Sequence, residues 1–296
     1  MSCLVVGGSG FVGRHVVRRL LEAGHAVFNV DRVAPIRPLP DETPVVADVT
    51  RPEGLASAAQ AARATSAVVW LAAAIRQRRS IDASTRADLE LMVEAPLRLL
   101  DALAPAPTAC VYLSSVQVYG RPERLPVDED HQARPFTAYG VAKLCAEQML
   151  GVACEARGVA FAALRAAFIY GPGQHAGNVI PRFLEHVRRG QPPVVHGPGA
   201  DVRDDVFVGD VARAVGLALE RGVSGVFNIG SGRPHSLRDV ALAACRLGAA
   251  GLEPVHEPRD SGWVDRWYSI DRARRQLGFE PTAFADGLGQ QWQAGA

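Results

Sequence analysis

Six short apolar runs punctuate the first 165 residues: Leu4 to Val6, Ala26 to Val30, Val45 to Ala47, Val68 to Leu71, Cys110 to Leu113 and Phe161 to Leu164. Between them apolar residues recur every three or four positions, as in Val12, Val16, Val17, Leu20 and Leu21. A continuous apolar run is the pattern of a strand buried on both faces, and helices are what cover those faces. The alternation predicts β-α-β units, and with them an α/β fold of Rossmann type on a doubly wound parallel sheet. Ala34 to Pro44 carries four prolines in eleven residues and reads as an exposed loop.

After about residue 170 the rhythm loosens into pieces punctuated by Gly and Pro, such as Gly171-Pro-Gly-Gln174, Gln191-Pro-Pro193, Gly197-Pro-Gly199 and Gly230-Ser-Gly232. Helical patterns return at Val179 to Arg189, Asp210 to Glu220, Leu237 to Leu247 and Arg272 to Leu277. The expected division is a Rossmann domain over 1–170 and a smaller C-terminal α/β region over 171–296, with the ligand cleft between them.

Composition narrows the partners. With 296 residues and 48% hydrophobic side chains, the chain has enough apolar surface for a large core. Its 32 basic and 31 acidic residues give a net charge of +1, too weak a field to argue for nucleic acid or an anionic membrane. Cys3, Cys110, Cys145, Cys154 and Cys245 are odd in number and widely spaced, so they read as reduced core thiols. No apolar stretch approaches the roughly 18 residues of a membrane span, and Met1 to Val6 is too short for a signal-peptide core, so a cytoplasmic protein is expected. The eight histidines show no metal-ligand spacing, and no metal is expected. Arg76, Arg78, Arg79 and Arg86 read as a solvated face or as a reach toward an anionic substrate. Asp128 to Asp130 reads as a solvated loop or as a border of the substrate site.

Gly7-Gly-Ser-Gly10-Phe-Val-Gly13 follows the first strand and opens a helix. Gly7 permits the tight turn, Gly10 lets a pyrophosphate approach the backbone, and Gly13 lets helix and strand pack closely. Phe11 and Val12 begin the helix whose free N–H groups would meet that pyrophosphate. Asp31, at the end of the second strand, can accept both ribose hydroxyls and repels a 2′-phosphate, which favours NAD. Arg32 beside it leaves NADP open. Asp48 reads equally as an adenine contact or as a cap before the next helix. Val49, with Leu71, Ala72 and Ala73 after the fourth strand, completes the expected cofactor set.

Tyr139 and Lys143 are four apart at the start of a helical pattern and so share a face. A phenol needs its anion stabilised by roughly 4 kcal/mol to act as a base near neutrality, and an adjacent ammonium with a positively charged nicotinamide can supply that. Ser115 ends the fifth strand, where a hydroxyl can hold a reacting carbonyl or alcohol.

These motifs, together with Ser114-Ser-Val-Gln-Val-Tyr-Gly120, Leu164-Arg-Ala-Ala-Phe-Ile-Tyr-Gly-Pro172, Asn178-Val-Ile-Pro181, Arg203-Asp-Asp-Val-Phe-Val-Gly-Asp210 and Asn228-Ile-Gly-Ser-Gly232, run in one order over nearly the whole chain. In that order the chain resembles the extended short-chain dehydrogenase/reductases, in their nucleotide-sugar epimerase/dehydratase branch. The resemblance implies that Ser115, Tyr139 and Lys143 are the catalytic trio. It also implies that Gln117, Asn178, Val179, Arg203 and Arg266 face a nucleotide-diphosphate sugar, and that Trp263 to Tyr268 closes over the nucleotide or simply packs. Helices over Leu89 to Leu103 and around Tyr139 would pair two copies as a homodimer.

Some positions depart from the family pattern. Related dehydratases carry an acid where this chain has Gln117, and an amide cannot remove a carbon-bound proton, so dehydration is disfavoured. Phe168, Trp70 and Met92 stand where the family usually has Asn, His and Asn, which points to an unusual substrate. The leading expectation is an NAD-dependent nucleotide-sugar 4-epimerase acting through a 4-keto sugar. The alternatives are an NAD(P)H-dependent 4-ketoreductase and, from a different class, a non-catalytic dinucleotide sensor.

Overall fold

A computed structural model describes residues 1–63, 65–74, 83–248, 251–259 and 264–295. Arg76, Arg78, Arg79 and Trp263 lie outside the described residues. The first six strands are β1 (Ser2–Val6), β2 (Ala26–Asp31), β3 (Glu42–Val46), β4 (Ala67–Trp70), β5 (Ala109–Ser115) and β6 (Ala160–Ala166). They build a parallel sheet with the order β6-β5-β4-β1-β2-β3, and a seventh strand, Gly225–Ile229, pairs with the free edge of β6. The chain runs outward from β1 to β3 and then returns to β4 on the other side of β1. That reversal opens a crevice at the carboxyl ends of β1 and β4.

The strands are apolar throughout because both faces are covered. Along β1, Cys3 and Val5 join one core layer with Val16, Val17 and Leu20 of the helix α1 (Phe11–Glu22). Leu4 and Val6 join the opposite layer with Trp70, Met92, Leu99 and Tyr112. The proline-rich segment read as a loop to Pro44 already turns into β3 at Glu42. Pro44 is tolerated there because β3 is an edge strand, where a missing N–H breaks no ladder.

Beyond residue 170 a third apolar cluster forms around Tyr170, Phe183, Leu184, Val195, Val208 and Leu288. Two short pairings frame its inner wall. Asp205–Phe207 runs parallel to Phe168–Tyr170, and His235–Ser236 runs antiparallel to Val202–Arg203. The C-terminal region is thus divided: the helices Val179–Arg188 and Leu237–Cys245 form a layer of their own, while the helix Val208–Arg221 buries Val211, Val215 and Leu219 in the main core beside α1, Ala273, Leu277 and Phe279 join that core, and Gly225–Ile229 completes the main sheet. Among the described residues, no helix is long and apolar enough to cross a membrane.

Candidate active site

The crevice is a cavity of about 850 Å³, lined by Gly7, Gly10 to Gly13, Asp31, Arg32, Asp48, Val49 and Leu71 to Ala73, by Ser115, Gln117, Tyr139 and Lys143, and by Asn178, Val179, Arg203 and Arg266, whereas Arg86, Trp267 and Tyr268 are not among its lining residues. Its floor is the glycine loop. Gly7 has φ +90°, and a Cβ there would come within 2.7 Å of the Ala72 nitrogen. The Leu71 and Ala72 amides both donate to the Val6 carbonyl, at 2.9 and 3.0 Å, and this holds the segment after β4 against the loop. At Gly13 a Cβ would sit 2.1 Å from the Gly7 carbonyl oxygen, so helix and loop touch backbone to backbone. Gly10 differs: a Cβ there would meet only the Gly7 oxygen, at 3.5 Å. Gly10 also caps α1 without a side chain, and no acid lies in the first turn. The helix therefore presents uncapped N–H groups and its positive end to the cavity.

Asp31, at the end of β2, accepts from the Ser9 amide at 3.1 Å and the Val33 amide at 3.4 Å, which leaves lone pairs on both oxygens for further donors. Arg32 lies beside it on the cavity wall. Asp48 lines the cavity with Val49 and also caps the following turn, accepting from the Thr50 amide at 3.0 Å and hydroxyl at 2.7 Å. These bonds hold its carboxyl below the usual carboxylate range.

Across the cavity, Thr137 caps the helix Ala138–Glu155, accepting from the Gly140 amide at 3.1 Å. Tyr139 and Lys143 are both buried on that helix, and Ser115, which accepts from the Gln117 amide at 3.2 Å, lines the cavity with them. The ammonium does not reach the phenol directly. Lys143 Nζ donates to the Leu113 carbonyl at 2.6 Å, lies 4.5 Å over the Tyr112 ring, and is 5.7 Å from the Tyr139 ring centre. Burial pushes the Tyr139 phenol up to about 12, against the opposing effect of the Ser115 hydroxyl, and pulls Lys143 down to about 7, against the charge of Glu147. The amine thus sits poised near neutrality, while the phenol of the protein alone remains protonated.

The substrate-side wall modifies one expectation. Arg203 presents its Nε and Nη2 not to the cavity but to Asp205, at 3.0, 2.9 and 2.5 Å, and its guanidinium stacks 4.5 Å from the Phe168 ring centre. Its fork is engaged, and only its Nη1 side remains to meet a phosphate. Asn178 begins the helix Val179–Arg188 and donates to the His175 carbonyl at 3.2 Å. Arg266 lies 6.0 Å from the Phe136 ring centre, and its amide donates to the Val202 carbonyl. Gln117 accepts from the Thr137 hydroxyl at 3.4 Å. The loop read as solvated at Asp128 to Asp130 is not so throughout, because Glu129 is drawn inward to accept from the Asn228 amide at 2.8 Å.

Sequence reasoning passed over Phe136, Thr137, Gln174 and His175, which also line the cavity. Thr137, two residues before Tyr139, carries the signal of a helix N-cap. A second signal is compositional: Lys143 is the single lysine among 32 basic residues, all the others being arginine. An ammonium at that place is not a matter of generic positive charge.

The sequence pattern of the NAD-dependent epimerase/dehydratase family matches residues 3–230. A UDP-glucose 4-epimerase of Mycolicibacterium smegmatis is 30% identical over 97% of this chain and 96% of its own length. The crystal structure of a UDP-glucose 4-epimerase from Thermotoga maritima with UDP-glucose covers 99% of this chain and 98% of its own, at TM-score 0.89 and 29% identity. That of MoeE5 in complex with UDP-glucose and NAD covers 100% and 98%, at TM-score 0.83 and 30% identity.

Proposed function

From the premise that the chain belongs to the NAD-dependent epimerase/dehydratase family, matched over residues 3–230, we propose that it inverts C4 of a nucleotide-diphosphate sugar through a 4-keto intermediate. The observation that carries this reading is the buried Ser115, Tyr139 and Lys143 group opposite an uncapped glycine-loop helix, with an uncharged Gln117 beside it. A carbon-bound proton needs a carboxylate or comparable base, so Gln117 supports chemistry at the C4 hydroxyl alone.

The cradle fits NAD. Gly10 leaves room above the first turn of α1, its N–H groups suit a pyrophosphate, and Asp31 suits the ribose hydroxyls. Bound there, NAD would take a hydride from the sugar and give it back. Tyr139 Oη would accept the hydroxyl proton from C4 and later return it, and Ser115 Oγ would hold the reacting oxygen. The Lys143 ammonium favours the phenolate, and the Tyr112 and Tyr139 rings keep water from it. Relatives solved with UDP-glucose support a uridine diphosphate sugar, whose phosphates would meet the Nη1 side of Arg203 on the wall that Arg266 also lines.

The test is to incubate purified protein with UDP-glucose, UDP-galactose and UDP-glucuronic acid while following reduced nicotinamide and product stereochemistry. The C4 isomer formed without net use of added NADH is the expected result. With a nucleotide-diphosphate 4-keto-sugar offered alongside, stoichiometric consumption of NADH to reduce that ketone, without isomerisation of the three alcohols, would instead make the protein a 4-ketoreductase, and tight NAD binding without turnover of any sugar would make it a sensor.

A further inference from the structure

Two consecutive residues at the end of β5 bond two successive turns of the helix Ala138–Glu155, next to the turn that carries Tyr139. The Leu113 carbonyl accepts from Lys143, and Ser114 Oγ donates to Glu147 Oε1. Tyr139, Lys143 and Glu147 are spaced four apart and form one stripe of the helix. Glu147 is itself clamped from β6, where Arg165 donates through Nε at 3.1 and 3.2 Å and through Nη2 at 2.7 Å. The two side chains are 4% and 7% exposed. The Arg165 guanidinium in turn stacks 4.8 Å from the Tyr119 ring centre, and the Tyr119 hydroxyl donates to Asn228 at 2.6 Å.

A buried ion pair is a poor way to stabilise a core, because desolvation offsets most of the attraction. Apolar side chains of the same volume would serve packing at least as well. The pair also lies one turn from the amine that the proposed chemistry depends on. We propose that Glu147, clamped by Arg165 and Ser114, is a positioning residue for the reaction: it fixes the register of the helix on β5 and supplies the counter-charge to the Lys143 ammonium. This rests on the epimerase reading for its catalytic meaning, but its physical core, the coupling of Glu147 to Lys143, does not.

The ammonium faces the rings of Tyr112 and Tyr139, the Leu113 carbonyl and the Glu147 charge. Around Glu147 stand Arg165, Ser114, Tyr112 and Tyr119, with Glu129 interacting with Arg165 from beyond. Burial alone would neutralise the amine, and Glu147 opposes it. Without that carboxylate a neutral amine would lie beside the phenol and could not favour its anion.

The single lysine makes the test direct, since ¹³C-lysine labelling gives one side-chain signal, that of Lys143. The double substitution Glu147→Gln with Arg165→Met removes both buried charges, so no lone guanidinium is left behind. In the NAD-loaded protein the Lys143 titration midpoint should fall by about one pH unit. The alkaline limb of kcat should move down with it, cutting turnover near neutrality about fivefold, with the KM for the sugar within about threefold. Glu147→Asp, which keeps the charge, should restore most of the midpoint. Ser114→Ala leaves the ion pair intact and only unpins one oxygen, so it should give a smaller shift of the same sign, and it keeps the test open should the charge variants fail to fold. An unchanged Lys143 midpoint in a folded variant overturns the proposal, whatever the turnover. A shifted midpoint in a protein that epimerises no sugar would leave Glu147 as the counter-charge and overturn the epimerase reading alone.

Discussion

Replacing Lys143 by methionine should stabilise the fold while removing its chemistry. The amine titrates at about 7 in the folded chain against 10.5 for an ordinary lysine. At ~1.4 kcal/mol for each tenfold change in proton affinity, its burial weighs against folding by about 4 kcal/mol at pH 7. Methionine is close in length and needs no donor or acceptor, but its substitution strands the buried Leu113 carbonyl, a loss of about 2 kcal/mol. The net gain at pH 7 is about 2 kcal/mol, or roughly 3 °C in Tm.

The sign has a pH signature. Above pH 7 the unfolded chain keeps a proton that the folded chain has released, so wild-type stability climbs until both forms are neutral above 10.5. By about pH 9.5 some 3 kcal/mol of the handicap has gone, and the variant should have lost its advantage. Melts of both proteins at these two pH values, alongside turnover, provide the assay. Turnover should fall by about 10²- to 10⁴-fold. A variant less stable than wild type at pH 7, or an advantage that does not shrink with rising pH, would show that burial does not act on the ammonium as argued.

Four further outcomes are expected. Gly10→Ala should leave the melting temperature of the ligand-free protein unchanged, since its Cβ meets one atom at van der Waals distance, while NAD affinity measured by calorimetry falls at least about tenfold. Gly13→Ala should lower stability by about 2 kcal/mol or more through contact with the Gly7 carbonyl; equal behaviour of the two variants would refute the assignment of their roles. Tyr139→Phe should retain NAD binding but lose about 10²- to 10⁴-fold in turnover, and an undiminished rate would remove the phenol from the chemistry. The helix Ala138–Glu155 exposes Val141, Met149 and Val152 along its outer side, and two copies are expected to pair there. Light scattering should find Val152→Glu monomeric, whereas a persisting dimer, or a monomeric wild type, would refute that pairing.

The glycine loop, Asp31 and the Ser115, Tyr139 and Lys143 group were legible in the sequence because each falls at a fixed offset from a strand end or within one helix turn. What escaped depended on partners distant along the chain. Glu129 read as solvated because its partner is the Asn228 amide, 99 residues later. The Glu147 and Arg165 pair joins a helix to a neighbouring strand across 18 residues. The engagement of Arg203 was nearer to hand, since Asp205 follows two residues on and alternate strand residues share a face, but nothing local shows that the pair closes on itself. The strand Gly225–Ile229 is short and opens on glycine, so its apolar signal is weak, and its place on the β6 edge follows from topology alone.

That late strand governs the order in which the chain can be assembled. During synthesis β6 is made well before its outer neighbour, and until residue 229 has left the ribosome an apolar edge stands open to any passing strand. Fragments ending near residue 170 inherit the same exposed edge and should aggregate. Chimaeras that exchange the C-terminal half should therefore graft around residues 208–229, keeping the helix Val208–Arg221 and the strand Gly225–Ile229 with the host sheet.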